Sequence, residues 1–171
     1  MNNKKIIVLG KPEKKRKATK IIDLSDDTKS YESQLSLLKT LRETKEGNTK
    51  EGNTKEEYTL AKREINKKIA SYKKQDIDKK RYVESQFITF EETIEMLCDS
   101  DLLCYYCCKK MCIFYDHVRE KSQWTLDRVD NDVCHSKSNL VVSCLSCNLQ
   151  KRRRESEAFK FMKQMKIEKE Q

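Results

Sequence analysis

Cys104-Tyr-Tyr-Cys107 and Cys144-Leu-Ser-Cys147 bracket the stretch whose reading decides the fold of this chain. A Cys-x-x-Cys turn aims two thiolates at one point, and a second such pair completes a tetrahedral four-cysteine site, for which zinc is the favoured ion. Closing so long a loop through a metal supplies folding energy that a small core lacks. All eight cysteines fall between Cys98 and Cys147. The N-terminal apolar run Ile6 to Leu9 is too short for a signal-peptide core, so a reducing intracellular compartment is expected, and there clustered cysteines are metal ligands rather than disulfide partners. Cys98, Cys108, Cys112 and Cys134 are read as non-ligands. Cys134 beside His135 is a poor catalytic pair, because adjacent side chains usually point apart.

Between the knuckles the chain runs Trp124-Thr-Leu-Asp-Arg-Val-Asp-Asn131, then Asp-Val-Cys-His-Ser-Lys-Ser-Asn139-Leu-Val-Val. Trp124 to Leu126 and Leu140 to Val142 are expected as two short strands. From Leu145 to about Met165 a single helix is expected, with Phe159 and Met162 on its inner face. Upstream, Thr89 and Glu92 form a capping box that opens a helix carrying Ile94, Leu97 and Cys98 and running to about Asp101.

Working outward, the composition is 36% hydrophobic and 38% charged with a mean hydropathy of −0.90, which favours a small core with solvated helices. One proline and three glycines favour long helices over an all-β architecture. Residues 1–30 are read as a basic, disordered tail; its block Lys14 to Lys17 is a nuclear-targeting patch, a nucleic-acid arm or a solvated run, leaving nucleus or cytoplasm open. Residues 31–81 are expected to be helical: Tyr31, Leu35, Leu38 and Leu41, then Tyr58, Ala61, Ile65, Ile69 and Tyr72, recur at helical spacing. They form an αα-hairpin or a coiled coil, within one chain or between two chains of a homodimer; the second helix is read first as an amphipathic helix packed on its own domain and also as a candidate to lie along DNA. The Lys-Glu-Gly-Asn-Thr repeat in 45–54 is a flexible connector. Near residue 82 the character changes, and 82–171 is taken as the zinc-bearing domain of an α+β chain. Net charge of +9 with a pI near 9.1 makes nucleic acid the natural partner, and no apolar run is long enough to span a membrane.

Two strands, a connecting loop and a helix held by paired cysteines resemble the ββα-metal core of HNH endonucleases. The closest pattern is the branch with Leu-Asp-Arg-Ile-Asp-Asn, a loop His, an Asn and a closing Cys-x-x-Cys-Asn, a type found in phage and large-DNA-virus proteins. The resemblance covers about residues 86–165. It implies that Asp127 and Asn148 hold a catalytic Mg²⁺ or Mn²⁺, separate from a structural zinc on Cys104, Cys107, Cys144 and Cys147, and that Asn139 braces the loop. Arg128 departs from the best-known pattern, which has the general-base His there. A guanidinium stays charged and takes no proton, although it can clamp a phosphate. The base then falls to His135 first and Asp130 second, with His117 read as a surface residue.

Lys151, Arg152, Arg153 and Arg154 follow Asn148 and are expected to meet phosphates beside the site. Tyr105 and Tyr106 either stack on a base or pack around the zinc. The expected function is divalent-metal-dependent hydrolysis of DNA phosphodiester bonds. The alternative is a catalytically inactive, zinc-dependent nucleic-acid-binding module on an HNH scaffold, with Arg128 as the dividing feature. A zinc-based protein-interaction module is a third class, against which the basic run counts.

Overall fold

Apolar residues at helical spacing bury the helices of the N-terminal half against one another and against the cysteine-bearing half of the chain. The computed structural model describes residues 24–43 and 54–165. The Lys14 to Lys17 block, most of the tail and nearly all of the tandem repeat lie outside the described residues. Helix α1 spans Tyr31–Glu43 and α2 spans Lys55–Asp78. Thr54 opens α2 through a capping box, taking the Glu57 N–H at 3.2 Å while the Glu57 carboxylate takes the Thr54 N–H at 3.0 Å. Helix α3, Phe90–Asp99, begins on the expected box of Thr89 and Glu92. It stops two residues short of the expected Asp101, because Asp101 and Leu102 take left-handed backbone angles (φ 47° and 53°) that turn the chain into the first knuckle.

Leu37, Leu38 and Leu41 of α1, Ala61 and Ile65 of α2, and Ile94 and Leu97 of α3 share one buried cluster with Trp124 and Leu126. The helices on either side of residue 82 therefore contribute to one core. Gln34 of α1 reinforces this seam, its buried amide oxygen accepting the N–H groups of Ile113 and Phe114 at 2.6 and 2.9 Å.

The rest is a two-stranded antiparallel sheet, β1 (Trp124–Arg128) paired with β2 (Leu140–Cys144), followed by α4 (Leu145–Lys151) and α5 (Ser156–Gln164). The fold is thus α+β. The single helix expected from Leu145 to Met165 is two helices: Arg152 adopts φ 55°, and Glu155 then caps α5 by accepting the N–H groups of Glu157 and Ala158. The break folds α5 back so that Phe159 meets the Tyr106 ring edge-on at 5.0 Å. Phe159 is buried as expected, whereas Met162 is not on an inner face and is exposed. None of the described helices is long and apolar enough to cross a membrane.

Candidate metal centre and adjoining site

The four knuckle thiols converge. The sulfurs of Cys104, Cys107, Cys144 and Cys147 all lie within 4.8 Å of one another, and Cys107 and Cys144 are 4.0 Å apart. Tetrahedral Zn–S bonds of about 2.3 Å need sulfurs roughly 3.8 Å apart, so a small contraction closes the site. Backbone N–H groups already point at the sulfurs, from Cys144 to Cys104 at 3.3 Å and from Cys147 to Cys144 at 3.4 Å. Cys108 supplies the left-handed turn of the first knuckle (φ 56°). Four thiols this close do not all ionise unaided: a hydrogen bond from Cys144 holds Cys104 low, and Cys144 and Cys147 are pushed up. A cation such as Zn²⁺ is the partner that makes all four thiolates together. The other cysteines stand outside the cluster, Cys98 and Cys134 buried and Cys108 exposed.

Alternation along β1 sends Thr125 and Asp127 to one face and Trp124, Leu126 and Arg128 to the other. On the first face Asp127 is 4% exposed. Its Oδ2 accepts the Tyr106 hydroxyl at 2.6 Å and lies 3.3 Å from the Lys151 ammonium, which also donates to the Arg128 carbonyl at 2.7 Å. Burial pushes the Asp127 carboxyl up, against the pull of Tyr106 and Lys151. Lys151 is fully enclosed, so the first member of the expected basic run faces inward: one turn after Cys147, its position on α4 points at β1. Asn148 sits in α4 and donates to the Thr125 hydroxyl at 3.1 Å. Tyr106 is fully buried, so of the two knuckle tyrosines it serves packing.

The opposite face meets α2. Arg128 pairs with Asp76 at 3.2 Å, and the same carboxylate accepts the His135 N–H at 2.7 Å and contacts His135 Nδ1 at 2.8 Å. With Asp76 the acceptor in each contact, His135 donates from Nδ1. Its ring stacks on Tyr72 at 4.8 Å and is almost wholly enclosed, and burial holds its pKa below the usual value. Asn139 is bonded into the loop between the strands: its Oδ1 takes the Asp130 N–H at 2.8 Å, and its Nδ2 donates to the carbonyls of Asp130 and Cys134. Asp130 and His117 are exposed. The motif gave no hint of Tyr106, Tyr72 or Asp76 as neighbours of these residues. Asp76 was nevertheless findable, because it falls four residues after Tyr72 on the buried stripe of α2, where a charge needs a partner.

Arg152, Arg153 and Arg154 are exposed beyond α4. No family model matches the chain, and no curated protein or solved structure matches it.

Proposed function

We propose that the chain is a zinc-stapled nucleic-acid-binding module on a ββα-metal scaffold of the HNH kind, in which the position of the hydrolytic centre has become an internal ion pair. The observation that carries this reading is the fully buried Lys151 ammonium 3.3 Å from Asp127. A carboxylate already neutralised by a buried cation does not suit a hydrated Mg²⁺ or Mn²⁺, which would face that ammonium in a low-dielectric site. The base position fares no better. Arg128 is held by Asp76, and His135, locked between Asp76 and Tyr72, has no open path to a water on a phosphate. Support for nucleic acid as the ligand comes from the net charge of +9 and the exposed Arg152 to Arg154.

Endonuclease activity is the second reading. It is favoured by the sequence order Asp127, Asn139, Asn148 laid out along strand, loop and helix, with Asn139 bonded into the loop. It requires Lys151 to leave Asp127 when a metal enters. A nicking assay on supercoiled plasmid with Mg²⁺ or Mn²⁺, run beside gel retention, separates the two. The expected result is retained, uncut DNA, unchanged in Asp127→Asn. Cleavage that needs both the divalent metal and Asp127 would establish the nuclease instead.

A further inference from the structure

Two basic runs far apart in sequence, Lys79-Lys80-Arg81 and Arg152-Arg153-Arg154, meet at one aspartate. Each run follows the end of a helix, α2 at Asp78 and α4 at Lys151, and each contains a residue in the left-handed region, Lys80 at φ 56° and Arg152 at φ 55°. The loop after β1 ties them together. Arg81 donates to the Asn131 carbonyl and reaches Asp132 Oδ1 at 2.8 Å, while Arg153 lies 3.6 Å from the same oxygen. Asn131 in turn donates to the Arg152 carbonyl at 3.0 Å.

The nearby acids offset only part of this charge: Asp130, which accepts the Asp132 N–H, Asp132 itself and Glu155, which caps α5, set three carboxylates against the six cations of the two runs. Asp132 itself is 69% exposed, so the carboxylate shared by two guanidiniums sits in water, where another oxyanion can take its place. Tyr82, next to Arg81, packs on Phe87 at 5.4 Å and lies under Lys73 at 4.8 Å, so the cluster offers no free ring on which an unpaired base stacks.

We propose that the two runs form one phosphate-binding cluster crossed by the sugar-phosphate backbone of duplex DNA, with Arg81 and Arg153 gripping one phosphate whose place Asp132 holds in the free protein. This rests on the nucleic-acid-binding reading and names its surface. Duplex is the ligand because its dense, regular phosphates match a cationic cluster without stacking platforms.

The test is the salt dependence of binding by the full-length, zinc-loaded chain to a fluorescently labelled duplex, followed by anisotropy. Arg81→Gln with Arg153→Gln should flatten the plot of log affinity against log salt by about 0.9, the loss of one phosphate contact. Lys67→Gln with Lys74→Gln, exposed cations elsewhere on α2, should leave the slope unchanged. Asp132→Asn removes the carboxylate charge that the two guanidiniums share, without touching the core, and should tighten binding roughly two- to fivefold, the size of a surface charge effect. Should the arginine pair disturb folding, Asp132→Asn together with Lys79→Gln and Arg154→Gln reports on the same surface. Retained duplex with an unchanged slope, or weaker binding by Asp132→Asn, overturns the cluster alone, and tighter binding to single strands overturns the duplex assignment. If the unmodified chain does not bind duplex or single strands at any salt concentration, the nucleic-acid reading falls and the cluster with it.

Discussion

The two faces of the β1–β2 hairpin carry nearly the same inventory and use it differently. Toward α4, the buried lysine and the buried acid are given to each other, Lys151 to Asp127. Toward α2, they are kept apart. Asp76 goes to Arg128 and His135, while the Lys68 ammonium donates to the Trp124 carbonyl and, at 3.0 Å, to the Gln123 side chain. It also lies over the rings of Trp124 at 4.7 Å and Tyr115 at 5.4 Å. One lysine is thus held by a carboxylate at 3.3 Å, and the other by dipoles and π-electrons with no carboxylate in contact. What differs between the faces is the electrostatic partner, a carboxylate for one ammonium and dipoles and rings for the other.

Removing a metal from the cysteine cluster should break both faces at once, because β2 ends in Cys144, one of the four clustered thiols. Structural zinc in small domains contributes on the order of 10–16 kcal/mol at neutral pH, comparable with the ~5–15 kcal/mol that stabilises a whole domain. Chelation, Cys104→Ser or Cys147→Ser should therefore abolish the cooperative melting transition, and native mass spectrometry should show one zinc per folded chain. A zinc-free protein that melts at the same temperature would mean the faces stand without the cluster.

Removing the acids sharpens the contrast. Asp127→Ala leaves the fully buried Lys151 unpaired, and Asp76→Ala strips Arg128 and two contacts of His135, so each should cost about 3–5 kcal/mol in urea denaturation. The faces part on rescue. Asp127→Leu with Lys151→Met removes both charges and should recover part of the loss, leaving the buried Tyr106 hydroxyl to Ser156 at 3.3 Å. On the α2 side no single second change repairs Asp76→Ala, because its carboxylate serves Arg128 and two groups of His135. An equal rescue of both faces would erase the distinction.

Legibility depended on which physical signals leave marks in a sequence. Spacing marks the knuckles and the strands, because ligand geometry and the pleat fix residue types at set intervals; Cys104, Cys107, Cys144 and Cys147 converge as read. The capping box at Thr89 is equally visible. The break after Lys151 is not, since helices often end on glycine and here Arg152 takes a positive φ of 55° with ψ −113°, a sparsely populated conformation costing roughly 1–3 kcal/mol. All three glycines lie outside the described residues, so Lys80, Asp101, Leu102, Cys108 and Arg152 make these turns without the usual signal. The inward turn of Lys151 and the claim of Asp76 on Arg128 and His135 depend on elements distant in sequence. A motif confined to residues 104–148 carries no trace of α2.

The smallest effect concerns Lys68. Its ammonium end is enclosed although the residue as a whole is only half-buried, and burial lowers its pKa to about 7, against the opposing pull of Cys112 and Glu64. In the unfolded chain the amine keeps its proton to about 10.4. Between these values the unfolded state binds more protons than the folded one, so on this group's account stability rises with pH from about 7 toward 10. Lys68→Met keeps the stem and removes the titration. The wild type should therefore gain on Lys68→Met as pH rises from 7 to 9.5, by less than the ceiling of about 1.4 kcal/mol per pH unit for one proton. Tyr72, whose hydroxyl is pushed above its usual value by burial, enters only above that window. Urea denaturation at saturating zinc, in steps across the range, measures the difference between the two proteins, in which the pH dependence of the metal site cancels. Parallel curves would mean that Lys68 stays charged inside the fold, and that the rings of Trp124 and Tyr115 with the Trp124 carbonyl make good its lost water.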